Sequence, residues 1–249
     1  MHLPIITAHS GCEGTERDSR ESLERAIALG ADAAEVDVRR ASDGTLYISH
    51  DRQETAEGKL TLEAVFRTLC QTPLRLNCDI KEPFAVSGVL DLARRFDFGP
   101  DRLILTGSVS PELLALERAV TSGAGVWLNI EEALKFPCVA RLFAAGEEDR
   151  FPALMADAKP FVLGMLSEAE VVHSLCRLLK ALGTAGVNLP YAVLTEELRT
   201  ALREAEIPIS VWTVNDPTAL DRCLALEVGN ITTLAVSTAL ERRRRYAEC

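Results

Sequence analysis

The sequence predicts a single (β/α)8 barrel, a TIM barrel, occupying residues 1–249 as one domain. Three observations predict it. The chain has 249 residues, the usual length of one such barrel. Short β-rich apolar runs alternate with runs of helical periodicity, the pattern of βαβ units and a parallel sheet. The apolar runs number eight, which closes a barrel, whereas an open doubly wound sheet usually has about five or six strands. Hydrophobic residues make up 47% of the chain, enough for a large core.

The elements read in order. Residues 4–9 form the first strand. Residues 19–29 form a helix with Leu23, Ala26 and Ile27 on one face and Gly30 as its stop. Residues 33–39 form the second strand. A short extra strand, 45–49, follows the Asp43-Gly44 turn. Residues 61–69 are helical, with Thr61 as cap and Glu63 in the first turn. Residues 74–79 form the third strand and 84–96 a helix. The fourth strand, 102–106, precedes a helix begun by Ser110-Pro111-Glu112, with serine as cap and proline at the first helical position. The fifth strand is 125–128. Residues 130–182 hold more helix than one unit needs, including 168–182, and the pattern assigns no further elements there. The sixth strand is 185–189, followed by a helix 195–204 capped by Thr195. The seventh strand, 208–214, leads to a helix from Asp216-Pro217. The eighth is 230–233, and the helix 236–245 closes the chain. There is no internal repeat, low-complexity linker or break in composition.

Charge and composition exclude several functions. Against 27 basic residues stand 37 acidic ones, a net charge of −10. That opposes binding to nucleic acid or an anionic membrane, which require clustered cations. The one basic run, Arg242 to Arg245, reads as a solvated helix end that complements the helix dipole. No apolar run reaches the roughly 18 residues of a membrane span. The N-terminus reads as the first strand and not as a secretory leader. Seven cysteines, Cys12, Cys70, Cys78, Cys138, Cys176, Cys223 and Cys249, form no C-x-x-C pair and are odd in number. Both facts argue against a disulfide framework or zinc site and for reduced thiols in a cytoplasmic protein. Cys12 follows the first strand and reads as a small buried residue.

Catalytic groups of parallel barrels sit at the C-terminal strand ends. The first strand here ends in His9, the second carries Glu35 and Asp37, the extra strand precedes His50-Asp51, and the third ends in Asp79 with Lys81 two residues on. Glu35 and Asp37, at i and i+2, share a face. Paired carboxylates on a buried strand call for a cation. All-oxygen ligation selects a hard one such as Mg2+ or Ca2+, with Asp79 as a third donor. His9 and His50 suit acid–base chemistry because imidazole titrates near neutrality. The other two histidines, His2 and His173, read as structural or solvent-exposed. Lys81 is placed either to hold an anionic substrate oxygen or to pair with the carboxylates. Trp212 either walls the mouth or packs in the core.

Taken together, these residues resemble the glycerophosphodiester phosphodiesterase family along the whole chain. The family's His-Arg-Gly is His9-Ser10-Gly11 here; Gly-Ala-Asp is Gly30-Ala31-Asp32; Glu-x-Asp-Val is Glu35-Val36-Asp37-Val38. Then come Asp43-Gly44, His50-Asp51, Thr61-Leu62-Glu63-Ala64-Val65, Asp79-Ile80-Lys81 for Glu-Ile-Lys, and Val211-Trp212-Thr213-Val214-Asn215. The resemblance implies a divalent cation on Glu35, Asp37 and Asp79. It implies proton transfer by His9 and His50, and a small phosphodiester substrate split into glycerol 3-phosphate and an alcohol. Ser10, Lys81 and Trp212 are the expected substrate contacts.

The departures are specific. Ser10 stands for the family arginine and removes a bidentate phosphate contact. Arg17 stands for the glutamate of the family's Glu-Asn-Thr. Asp79 is shorter than glutamate by about 1.5 Å. Only Arg52 to Leu60 lie where the family usually inserts some tens of residues, which implies an open mouth. These losses keep two alternatives in view. One is a barrel that binds a phosphorylated ligand with little turnover. The other is a related phosphodiesterase, sphingomyelinase-D-like, with a different head group.

Overall fold

The computed structural model describes residues 3–248. The expectations for His2 and Cys249 lie outside the described residues. Nine strands form one sheet: β1 (Ile5–Ala8), β2 (Ala33–Arg40), β3 (Leu46–Ile48), β4 (Arg75–Ile80), β5 (Leu103–Gly107), β6 (Gly125–Asn129), β7 (Gly186–Pro190), β8 (Ile209–Trp212) and β9 (Asn230–Thr233). The order β1-β9-β8-β7-β6-β5-β4-β2, together with the β1–β2 pairing, closes eight parallel strands into a barrel. β3 adds antiparallel to β2 outside the ring, with Val38 opposite Ile48. The TIM barrel expected from the alternation is therefore the fold.

Local chemistry explains most boundaries. The side chains of Ser19, Thr61, Ser110, Thr195 and Asp216 each accept a hydrogen bond from the backbone N–H three residues on, capping the helices that follow. Gly30 ends the first of these helices in the left-handed region, at φ 71°. The helix expected from Ser110 breaks into Pro111–Leu116 and Ala119–Gly123. Residues 130–182, unassigned beyond the last helix, fold as Ile130–Ala145, Phe151–Ala156, Lys159–Met165 and Ala169–Leu182. The basic run Arg242 to Arg245 is held in ion pairs: Arg242 with Asp221, Arg243 with Asp32 and Arg245 with Glu241. No helix among the described residues is long and apolar enough to cross a membrane.

Two apolar layers hold the barrel. Outside the ring, strand residues such as Val38, Leu76, Cys78 and Leu105 pack on helix residues including Val65, Phe66, Leu69 and Val89, all fully buried. Inside, Ala33, Ile104 and Trp127 form a separate cluster with Ile5 and Ala185 at the strand starts. Trp127 fills this floor because its neighbour is Gly186. A Cβ there would lie 2.8 Å from the indole ring and 2.4 Å from Pro208 O. Above the floor the interior turns polar, towards the strand ends.

Candidate active site

The interior polar layer is a continuous set of hydrogen bonds. Thr7 Oγ1 donates to Asn230 Oδ1 (2.6 Å). Asn230 Nδ2 donates to Ser210 Oγ (2.9 Å). Ser210 Oγ donates to Asn188 Oδ1 (2.8 Å), and Asn188 Nδ2 to Asn129 Oδ1 (2.8 Å). Each residue sits on a different strand, so the layer also fixes their relative register. Sequence reasoning missed all of these residues. A lone asparagine inside an apolar strand was the available signal, and it recurs at Asn77, Asn129, Asn188 and Asn230.

The acids lie one layer higher. The β2–β4 register sets Glu35 beside Asn77 and Asp37 beside Asp79. Each of Glu35, Asp37 and Asp79 offers an oxygen within 4.8 Å of the others. Lys81 Nζ lies 2.7 Å from Asp37 Oδ1 and 2.7 Å from Asp79 Oδ2. Arg17 Nη2 donates to Asp37 Oδ2 at 3.1 Å. Glu35 Oε2 instead accepts from the Ser10 N–H at 3.0 Å. Of the two expected roles of Lys81, pairing with the carboxylates is the one the structure displays.

The electrostatics follow from this layout. Burial, then the charges of Asp37 and Asp79, push the Glu35 carboxyl well above the ordinary glutamate value. Burial also raises Asp79, with Lys81 opposing and Asp37 adding to the rise. Burial acts on Asp37 in the same direction, but the Lys81 ammonium and Arg17 guanidinium outweigh it and hold that carboxyl low. Burial alone would lower Lys81; the two flanking carboxylates reverse this and keep it charged. With all three carboxyls ionised, the two cations leave one negative charge over, the charge whose cost raises Glu35. A divalent cation fits this donor set: the ligands are hard oxygens, and Glu35 is the one that neither Lys81 nor Arg17 reaches, with His9 Nδ1 3.8 Å from its Oε2.

Gly107 gives Asp79 its position. At φ +78° it ends β5 beside the carboxylate, and a Cβ would lie 2.1 Å from Asp79 Oδ1 and 2.3 Å from Ile80 O. The Gly107 N–H is tied to Asn129 Oδ1 at 3.3 Å, linking the acids to the polar layer.

Both expected histidines reach the same cavity. It measures about 370 Å³ and is lined by His9, Arg17, Glu35, His50, Asp79, Lys81 and Trp212 among others. His9 Nδ1 lies 2.9 Å from the carbonyl of Ser10. A carbonyl only accepts, so Nδ1 carries the hydrogen and Nε2 is left as the ring's acceptor. The His50 turn is held from two sides. Its N–H donates to Asp18 Oδ2 at 2.7 Å, and its carbonyl accepts from Arg39 Nε at 3.0 Å. His50 Nδ1 lies 3.1 Å from Asp51 Oδ1. Trp212 ends β8 at the cavity wall.

Ser10 differs from its expected place as a substrate contact. It is 4% exposed and does not line the cavity. Its hydroxyl donates to Asp18 Oδ1 (3.0 Å) and accepts from the Asp18 N–H (2.7 Å). Asp18 therefore clips the end of β1 to the His50 turn, a role with no signal in the sequence. Cys12 is fully buried, and burial raises its thiol. His173 lies in the helix Ala169–Leu182, away from these groups, where it lines a separate pocket with Cys176 and Glu197. The first turn of Ile130–Ala145 brings Glu131 and Glu132 to the cavity, which places the start of the unassigned segment at the mouth. Beside the mouth, where the segment 52–60 is short, a second cavity of about 580 Å³ shares Arg17 and His50 with the first.

Residues 9–93, which carry both histidines, the three acids and Lys81, match the glycerophosphoryl diester phosphodiesterase family model. No curated protein matches the chain by sequence. Among solved structures, a glycerophosphodiester phosphodiesterase from Thermotoga maritima is 20% identical, with a TM-score of 0.68 over 97% of this chain and 99% of that one. One from Agrobacterium tumefaciens is 14% identical, with a TM-score of 0.67 over 97% and 100%. A phosphodiesterase from Oleispira antarctica, in complex with the product sn-glycerol-3-phosphate, is 15% identical, with a TM-score of 0.69 over 96% of each chain.

Proposed function

We propose that the chain is a divergent relative of the glycerophosphodiester phosphodiesterases, whose family model matches residues 9–93, and that it hydrolyses a glycerophosphodiester to glycerol 3-phosphate and an alcohol. The family match supports the class, a phosphoric diester hydrolase. Glu35, Asp37 and Asp79 are the ligands of a divalent cation, Mg2+ or Ca2+. One observation carries this reading: the three acids cluster within 4.8 Å, and two of them, Glu35 and Asp79, line a cavity that both histidines line.

The cation, when bound, offsets the phosphodiester charge and draws electron density from phosphorus. The protein's own side chains do the rest. One of His9 and His50 takes the proton of the attacking O–H group through Nε2. As the bond from phosphorus to the alcohol oxygen breaks, the other imidazole gives its proton to that oxygen. The Ser10 carbonyl holds His9 in the required tautomer, and Asp18 and Arg39 hold the His50 backbone. Lys81 holds the two aspartates together and favours their charged forms. Trp212 supplies an apolar wall for the substrate. The whole chain, 1–249, acts as one domain, and its six described cysteines are free, in keeping with a cytoplasmic location.

The test is product release from glycerophosphocholine, glycerophosphoinositol, a lysophospholipid and bis(p-nitrophenyl) phosphate, with Mg2+, Ca2+ or EDTA. Cleavage of a glycerophosphodiester that EDTA abolishes is the expected result. His9→Ala and His50→Ala should each lose about 100- to 10,000-fold in kcat. Near-normal turnover by either variant refutes the acid–base assignment. A second reading has one observation in its favour: both oxygens of Asp37 already face a cationic side chain, in Lys81 and Arg17. On that reading the barrel binds a phosphorylated ligand with little turnover. Tight binding of glycerol 3-phosphate without product from any of the four substrates would favour it.

A further inference from the structure

We propose that Arg17 is the residue that grips the substrate phosphate, and that the Ser10–Asp18 clip exists to bring it there. The inference rests on the phosphodiester reading above and names how that substrate is held. Among the described residues lining the central cavity, Arg17 and Lys81 carry the permanent positive charges. They are not equivalent. Lys81 is 18% exposed, and its ammonium is committed to two carboxylates at 2.7 Å each. Arg17 is 45% exposed and uses Nη2 on Asp37 at 3.1 Å. A guanidinium has five N–H donors in a planar fork, so most of its donors remain to meet an anion bidentately.

Its location suits that task. Arg17 lines both the central cavity and the adjoining groove, as does His50. A phosphodiester has one substituent on either side of phosphorus. A cation at the junction of two cavities is where its phosphate would lie, with the glycerol moiety on one side and the alcohol on the other. Ser10 cannot serve there, since its hydroxyl is spent on Asp18 and it is nearly inaccessible. The same clip fixes Asp18 in the left-handed region, at φ 56°, immediately after Arg17. Asp18 accepts from Ser10 and from the His50 N–H. The loop is thus folded back so that residue 17 delivers a guanidinium to the acids.

Calorimetric titration of sn-glycerol 3-phosphate into wild type, Arg17→Ala and Arg17→Lys tests this, each with EDTA and with Mg2+, and with glycerol as the uncharged control. Arg17→Ala should weaken glycerol 3-phosphate by about 10- to 100-fold in both conditions, the worth of a charge-assisted contact. Arg17→Lys should recover only part of that loss, since an ammonium restores charge without the fork. Because the side chain is half-exposed, circular dichroism should show all three proteins folded. Wild-type affinity in Arg17→Ala, full recovery by lysine, or no binding to the wild type in either condition would overturn the assignment. Cleavage is scored separately by product release. A wild type that binds through Arg17 and cleaves nothing refutes the hydrolase reading and leaves this one standing.

Discussion

Replacing Gly107 by alanine should damage the proposed cation site by displacing Asp79 while leaving every charged residue in the sequence unchanged. Two costs are separable. Any residue with a Cβ held at φ +78° loses about 1–2 kcal/mol against glycine. The new methyl would also lie 2.1 Å from Asp79 Oδ1 and 2.3 Å from Ile80 O, where contacts under 3.0 Å are essentially never seen. The carboxylate must retreat by about 1 Å, and the neighbouring backbone must shift, at a further cost of about 1–3 kcal/mol. Gly146→Ala is the internal control. Gly146 sits at φ +69° after Ile130–Ala145, and its Cβ would meet nothing within 4 Å, so only the backbone cost applies. Urea unfolding in EDTA should place Gly107→Ala below Gly146→Ala by about 1–3 kcal/mol. Calorimetry should show Mg2+ or Ca2+ affinity reduced about 10- to 100-fold in Gly107→Ala alone, as for loss of a positioning contact at a metal site. Equal destabilisation in the two variants, with cation affinity unchanged in both, would refute the reasoning.

Two further expectations follow from the same geometry. Glu35 is raised above its ordinary value of 4.5, so the cation-free folded protein keeps a proton that the unfolded chain releases. Its contribution to stability is therefore full below 4.5 and declines as pH rises from there towards the folded value. Wild type should lose stability relative to Glu35→Gln across that window in EDTA, and its cation affinity should climb with pH as the metal displaces the proton; parallel unfolding curves would contradict this. Asp18→Ala removes the acceptor of both the Ser10 hydroxyl and the His50 N–H and should cost about 1–3 kcal/mol in unfolding free energy. It should also lower kcat, because His50 loses its anchor, and raise KM, because Arg17 loses the clip that places it; an unchanged kcat would remove Asp18 from the first role and an unchanged KM from the second.

Much of the architecture was legible in the chain because local rules govern it. Apolar runs of strand length, capping side chains at Ser19, Thr61, Ser110, Thr195 and Asp216, and the Gly30 stop act within a few residues of themselves. The i, i+2 spacing of Glu35 and Asp37 dictates a shared face wherever the strand goes. Residues 130–182 resisted because their helices are set by packing on one another and on the barrel, and Pro137 lies inside one of them.

What the sequence by itself determined, then, was the alternation that closes an eight-stranded barrel and the strand ends at which His9, Glu35, Asp37, His50 and Asp79 stand. Only the tertiary structure decided how those groups share charge. Lys81 lies between Asp37 and Asp79, Arg17 comes to Asp37 from 20 positions away in the chain, and Asp18 ties Ser10 to His50, 32 positions beyond Asp18. Such contacts depend on the register between strands and on the path of a loop. Neither is encoded in local spacing; both arise only when the barrel closes.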